Sequence, residues 1–129
     1  MLEKFNIEII TPEQTILKSE TSEVTIPAFE GQMGILKDHV PLITFLRPGI
    51  INVKNTEEKK YFVQEGTVEF SNNKLLILTS EAKDLKDLEK SNINYLIDQA
   101  EKKFKDNGLT DKDKYLTSHK IDTLKEINQ

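Results

Sequence analysis

The chain has 129 residues, 31% of them charged, a formal net charge of −4 and no cysteine. That length fits one domain with an appendage and suffices to bury roughly two-thirds of the unfolded surface in a single core. Disulfides and thiolate metal sites are excluded, the mild negative charge argues against nucleic acid as a partner, and with Arg47 as the sole arginine there is little to grip a phosphate bidentately.

Phe5, Ile7 and Ile9 alternate with Asn6 and Glu8, the period of a half-buried strand. The first ten residues enter this alternation directly, without the basic start and apolar centre of a signal peptide, so no secretory signal is expected. Thr11-Pro12-Glu13 breaks the pattern, Thr15 to Lys18 reads as the returning strand, and Glu23 to Ala28 alternates again. Further strands are expected at Ile50 to Val53, Lys60 to Val63, Thr67 to Phe70 and Leu75 to Thr79, separated by turn-forming residues such as Glu65-Gly66 and Ser71-Asn72-Asn73. Short strands at this spacing with no helical pattern between them indicate an antiparallel sandwich or barrel.

Ile26 to Gly49 stands apart. It holds Pro27, Pro41 and Pro48, together with Gly31, Gly34 and Gly49, so it must turn repeatedly. It is also rich in large apolar side chains, among them Phe29, Met33, Leu42, Ile43, Phe45 and Leu46. We read it as an ordered, partly exposed loop system suited to a protein partner.

Near Ala82 the period changes. Ile93, Leu96, Ile97, Ala100 and Phe104 stand at i, i+3, i+4, i+7 and i+11 and form one stripe of a helix that is read from Leu85 onward. Asp84 and Asp87 sit where acids favour its start, Lys102, Lys103 and Lys105 where cations favour its end, and Asn107-Gly108 reads as a C-cap pair. Thr110-Asp111 offers a second N-cap, and a thin stripe of Tyr115, Leu116, Ile121, Leu124 and Ile127 continues to Gln129. Two helices joined by so short a loop should form an antiparallel hairpin. Its 10 lysines against 11 acids over residues 81–129 make it a mixed-charge surface. Residues 1–83 are thus expected to form the β-domain and residues 84–129 the helical hairpin.

Chemistry is sparse. His39 beside Asp38 shows neither a base–orienter pair nor a cleft, so it reads as a packing or hydrogen-bonding group in the turn before Val40-Pro41. His119, mid-helix among charges, reads as solvated. No histidine pair has metal-ligand spacing, and G-Q-M-G lacks the lysine and the following helix of a phosphate loop. No apolar run approaches the roughly 18 residues that span a bilayer, so membrane association is expected through a partner and not by insertion. No catalytic residue, cofactor or metal is assigned. A stand-alone β-sandwich adaptor for a helical partner fits these features as well as a subunit of a larger assembly does.

The run G-x-M-G-I-L-x-x-H-x-P-L-I-T-x-L-x-P-G, Gly31 to Gly49, resembles the signature of the epsilon subunit of F-type ATP synthases, called delta in mitochondria. The resemblance extends over the whole chain in layout. It implies a non-catalytic rotor subunit: a sandwich of about ten antiparallel strands joining the gamma subunit to the c-ring of a proton-transporting complex, then a helical hairpin that regulates ATP hydrolysis. It also implies a peripheral position on the cytoplasmic face of a bacterial inner membrane. By position, Glu30, Gly31, Gln32, Met33 and Gly34 would meet the c-ring, and His39, Pro41, Leu42, Ile43, Thr44 and Leu46 would lie at the gamma contact. The hairpin's implied partner is the catalytic alpha/beta hexamer, which it blocks when extended and spares when folded on the sandwich.

Two departures qualify this. Relatives with a strongly inhibitory hairpin tend to carry many basic residues in the second helix, whereas here Lys112, Lys114, Lys120 and Lys125 are balanced by Asp111, Asp113, Asp122 and Glu126, so weak inhibition is expected. Some relatives also bind ATP through an I/L-D-x-x-R-A motif, where this chain has Leu88-Glu89-Lys90-Ser91-Asn92-Ile93 and lacks the arginine. Titration calorimetry of the isolated protein is therefore expected to show no heat of binding at micromolar ATP, and a micromolar isotherm would contradict that expectation.

Overall fold

A computed structural model describes residues 3–128; Met1, Leu2 and Gln129, at the ends of the expected domains, lie outside the described residues. Ten strands come first: β1 (Phe5–Ile10), β2 (Thr15–Thr21), β3 (Glu23–Ala28), β4 (Gly31–Leu36), β5 (Leu42–Leu46), β6 (Gly49–Lys54), β7 (Glu58–Val63), β8 (Gly66–Ser71), β9 (Lys74–Thr79) and β10 (Ala82–Asp84). A 3₁₀ turn at Leu85–Asp87 leads into α1 (Lys90–Phe104) and α2 (Asp111–Ile127). The strands run in the order β10-β7-β6-β3-β5-β8-β9-β1-β2, with β4 on the other side of β3. The junction of β3 with β5 is a single bridge, Ala28 opposite Leu46, so the sheet folds over there into two layers. One layer is β4-β3-β6-β7-β10 and the other β5-β8-β9-β1-β2.

Alternation of side chains fills the space between the layers. Phe5, Ile7 and Ile9 from β1, Val24 and Ile26 from β3, Ile51 and Val53 from β6, Val68 and Phe70 from β8, and Leu75 and Ile77 from β9 share one buried cluster. Phe5 and Phe70 meet edge to face at 5.6 Å within it. The β8–β9 turn is tight because Asn72 and Asn73 both adopt positive φ (51° and 56°), a backbone that asparagine tolerates and that matches the strand twist. Gly66, opening β8, has no room for a side chain: an added Cβ would stand 2.1 Å from the Leu78 carbonyl oxygen.

Three expectations need correction. Ile26 to Gly49 is not mainly loop, since it contains all of β4 and β5. Most of its prolines and glycines fall where a ladder tolerates them: Gly31 and Gly34 in β4, which pairs only with β3, and Pro41 and Pro48 one residue before β5 and β6; Pro27 is the exception, inside β3 opposite Gln32. The ladder is antiparallel as expected, with one exception that leaves the fold class standing: β1 runs parallel to β9, Ile7 opposite Leu75, and the long excursion through β2 to β8 supplies the crossover that a parallel pair requires. The first helix starts later than Leu85, because the Asp84 carboxylate accepts from the Lys86 amide and holds a separate turn. That helix ends at the C-cap Lys105, before Asn107-Gly108. Thr110 caps α2 as expected, its hydroxyl accepting from the Asp113 amide at 3.1 Å.

The two helices pack on each other and on the outer face of the β6–β7 layer. Tyr61 and Val63 point into the sandwich, whereas Phe62 points out and is covered by Ile93 and Ile97 of α1 and Leu124 of α2, with Leu85 and Leu88 beside them. This second cluster is small, which agrees with the thin stripes of both helices.

The alternation along β5 generates a contrast between neighbours. Leu46 is 1% exposed and Phe45 62%. Leu46→Ala is expected to lower the unfolding free energy by about 2–5 kcal/mol and Phe45→Ala by about 0.5 kcal/mol or less, read from urea midpoints.

Candidate functional site: an uncovered apolar sheet face and a ring of turns

The sandwich has two outer faces, and the helices cover only one. On the other, outward residues line up across strands through the register: Phe45, Thr67, Leu78 and Ile10 in one row, Ile43, Glu69, Leu76 and Glu8 in the next. Ile43 is 78% exposed, Phe45 62% and Leu78 43%, with Val40 at 69% in the link before β5. Leu76 and Ile10 are half-buried between them. The rim is charged. The Lys74 ammonium sits 2.9 Å from Glu8, and that hydrogen bond holds the Glu8 carboxyl below its ordinary range. Exposed apolar side chains grouped in this way, with Glu69 between Ile43 and Leu76 and ion-paired charge at the margin, suit a protein-binding surface. A hollow of about 520 Å³ extends this face toward the helices, between Phe45, Gly66 and Thr67 on the sheet and Lys112 and Leu116 on α2.

Of the residues expected at one contact, the structure brings only some to this surface. Ile43 and Pro41 are exposed, but Leu46 is part of the core, and Leu42 and Thr44 lie on its inward side of β5. Leu46 therefore has no side-chain surface to offer a partner, which corrects that expectation. Phe45, Leu76, Leu78 and Ile10 take the place of the inward residues. Reading β5 as a strand is the signal that yields Phe45, because it shares the parity of Ile43.

His39 is a structural group. Its amide donates to the Leu36 carbonyl, its Nδ1 lies 2.7 Å from the Val40 carbonyl oxygen, and its ring meets the edge of Phe70 at 6.0 Å. Neighbouring Asp38, at φ 65°, is held by reciprocal contact with Asn73: its amide donates to the Asn73 side chain, whose Nδ2 donates back at 2.9 Å.

The second expected contact is the β3–β4 turn. Ala28 pairs with Gly31, leaving Phe29-Glu30 as a two-residue loop, and Gly31 at φ 146° occupies a backbone region that a side chain would strain. Glu30, Gln32 and Gly34 are exposed, while Met33 turns inward and packs on the core, so its side chain is removed from the expected contact.

The turn is held from behind by α2. The Tyr115 hydroxyl donates to the Phe29 carbonyl, the Tyr115 ring lies 4.7 Å from that of Phe29, and Arg47 Nη1 donates to the Tyr115 oxygen at 3.0 Å. His119 joins this group, with Nε2 3.4 Å from Arg47 Nη1 and its ring edge-on to Tyr115 at 4.5 Å. It is half-buried against the sandwich and not simply solvated, which corrects the reading of His119. Burial first, and the Arg47 charge second, lower its proton affinity below the ordinary histidine value, partly opposed by Asp122.

A concavity of about 1020 Å³ lies between the β10 edge and α1. Glu13, Glu81, Asp84 and Asp87 outnumber Lys59 and Lys83 in its lining, and Asn92 stands there with no arginine beside it. That charge balance does not suit a polyphosphate. Among the described residues no group of histidines and carboxylates is arranged to hold a metal ion, and no helix is long and apolar enough to cross a membrane.

The family described as "ATP synthase, Delta/Epsilon chain, beta-sandwich domain" matches residues 4–84. The ATP synthase epsilon chain of Pelagibacter ubique is 49% identical over 130 residues, covering 99% of this chain and 100% of that one. The mitochondrial ATP synthase subunit delta of Schizosaccharomyces pombe is 41% identical over 113 residues, 83% of this chain and 68% of that one. A chain in the cryo-EM structure of the Euglena gracilis mitochondrial ATP synthase superposes with a TM-score of 0.79 at 18% identity, covering 100% of this chain and 84% of that one, which shows a shared fold. The chain belongs to the family of ATP synthase epsilon chains, of which the mitochondrial delta subunit is the equivalent.

Proposed function

We propose that this protein is a non-catalytic central-stalk subunit of a proton-transporting F-type ATP synthase, joining gamma to the c-ring. Family membership supports the assembly. The observation that carries the mode of binding is the uncovered apolar face of β5, β8, β9 and β1, opposite the face that the helices cover. Gamma docks there on Ile43, Phe45, Leu76 and Leu78, with Pro41, Val40 and the His39 corner at its margin. The c-ring is met by the exposed turn at Glu30, Gly31, Gln32 and Gly34. The solved Tetrahymena thermophila central stalk and c-ring holds a chain of this fold at TM-score 0.72, which is consistent with the reading.

The physical demands of a torque-bearing joint fit these features. Such a joint must resist slippage, and close apolar packing on a rigid sheet does so better than screened surface charge. The bound residues are fixed in advance by the ladder, so little conformational entropy is lost on docking. The hairpin, seated on the opposite layer, leaves the gamma face free. In this reading it inhibits ATP hydrolysis only weakly, because α2 offers the catalytic hexamer no net positive charge. The protein is held peripherally on the cytoplasmic side of a bacterial inner membrane by these partners.

Ile43→Glu combined with Phe45→Glu is expected to leave the urea midpoint nearly unchanged and to reduce co-purification with gamma at least tenfold, the scale of losing two central anchors. Undiminished gamma recovery would sink the assignment of this face. In the assembled complex, deletion of residues 84–129 is expected to change ATP hydrolysis less than about twofold, since a helix without net charge lacks electrostatic complementarity to an acidic partner. A many-fold rise would show strong inhibition instead.

A further inference from the structure

Two of the hairpin's attachments to the sandwich differ in character. The apolar seam around Phe62 engages the far end of α2, at Leu124 and Ile127. The polar attachment engages its near end, where Tyr115 and His119 meet Phe29 and the sole arginine. The ion pairs among the described residues are all lysine with glutamate, and none involves Arg47. Its guanidinium is instead spent on a phenol oxygen and an imidazole nitrogen.

That choice of partners makes the contact conditional. Nε2 of His119 can accept from Arg47 only when the imidazole is neutral, with its proton on Nδ1. Protonation removes the acceptor and sets a second cation against the guanidinium. The groups facing His119 are Arg47, from the link between β5 and β6, and Tyr115 and Asp122 on its own helix. Asp122, exposed to solvent, offsets the repulsion only in part. We propose that Phe29, Arg47, Tyr115 and His119 form a proton-sensitive latch that holds the hairpin on the sandwich while His119 is neutral and releases it when His119 charges. The inference rests on the reading that the hairpin can leave the sandwich. It adds the group that decides when, and it ties that event to the β3–β4 turn, because the carbonyl Tyr115 holds belongs to the residue before Glu30.

His119 gives up its proton more readily when docked than when free. Docking is therefore complete above the ordinary histidine value of 6.5 and weakens as pH falls through and below it. The chain has no cysteine, so Glu57→Cys with Lys112→Cys permits a dye pair that reports the distance from the β6–β7 turn to the start of α2 by energy transfer in the full-length protein. Amide exchange of the β-strands is followed in parallel from pH 8 to 5.5. The expected result is a compact state at pH 8 and an open fraction growing below pH 6.5, by no more than about tenfold per pH unit for a single proton. His119→Gln, which keeps an acceptor and cannot charge, should stay compact throughout, and Tyr115→Phe should raise the open-to-closed ratio about fivefold at pH 8. Opening of His119→Gln over the same pH range as the parent overturns the latch and leaves the mobile hairpin standing. Loss of strand protection together with opening is global unfolding and also overturns the latch. A hairpin that stays compact in every variant at every pH overturns both.

Discussion

The architecture depends on how closely two layers can be brought together at one corner. β3 passes its sheet to β5 through the single bridge between Ala28 and Leu46, braced by Phe29 donating to the Phe45 carbonyl at 2.8 Å and Arg47 donating to that of Pro27 at 3.0 Å. β6 then starts directly against β3. Gly49 makes this possible, since a Cβ there would lie 2.5 Å from Pro27 Cβ. Were this corner looser, the layers would splay, the shared core would admit water, and the outward rows on β5, β8 and β9 would lose their common plane. The proline and glycine content of this stretch is thus a packing requirement, and only in part a demand for turns.

That distinction explains what the sequence revealed and what it hid. Seven strands were legible, β1 and β3 from the alternation of a half-buried strand and the others as short segments bounded by turn-forming residues. β4 and β5 were not, although they alternate too, because proline and glycine signal turns to local reasoning whether they occupy turns or edges. Which prolines sit at strand ends and which glycine must touch a proline are facts of pairing, and pairing is non-local. The same blindness cost Phe45 its place at the candidate surface and gave one to Leu46: without a strand assignment there was no parity, and without parity no inside or outside. His119 failed for a related reason, since its partner Arg47 lies far off in sequence. The Thr110 cap, by contrast, is set within a few residues, and it was readable.

A division of labour between the two faces follows from composition. Helices with narrow apolar stripes can cover a spot, not a sheet, and they cover Phe62 and its neighbours. The wider apolar rows on the opposite layer remain for a partner with a broader surface. The helices and the exposed apolar rows thus occupy opposite faces of the sandwich, and α2 also touches the β3–β4 turn from behind.

The parallel pairing of β1 with β9 bears on how the molecule is made. β1 and β2 are synthesised first and can pair at once, yet the other edge of β1 stays open until Leu75 and Ile77 arrive to meet Ile7 and Ile9. The sandwich cannot close on the ribosome until nearly all of its strands have emerged, and contacts so distant along the chain make that closure slow. The helices follow last, onto a sheet that is already complete. Chain order therefore gives a folding order in which the sandwich is finished before the hairpin that packs on it exists.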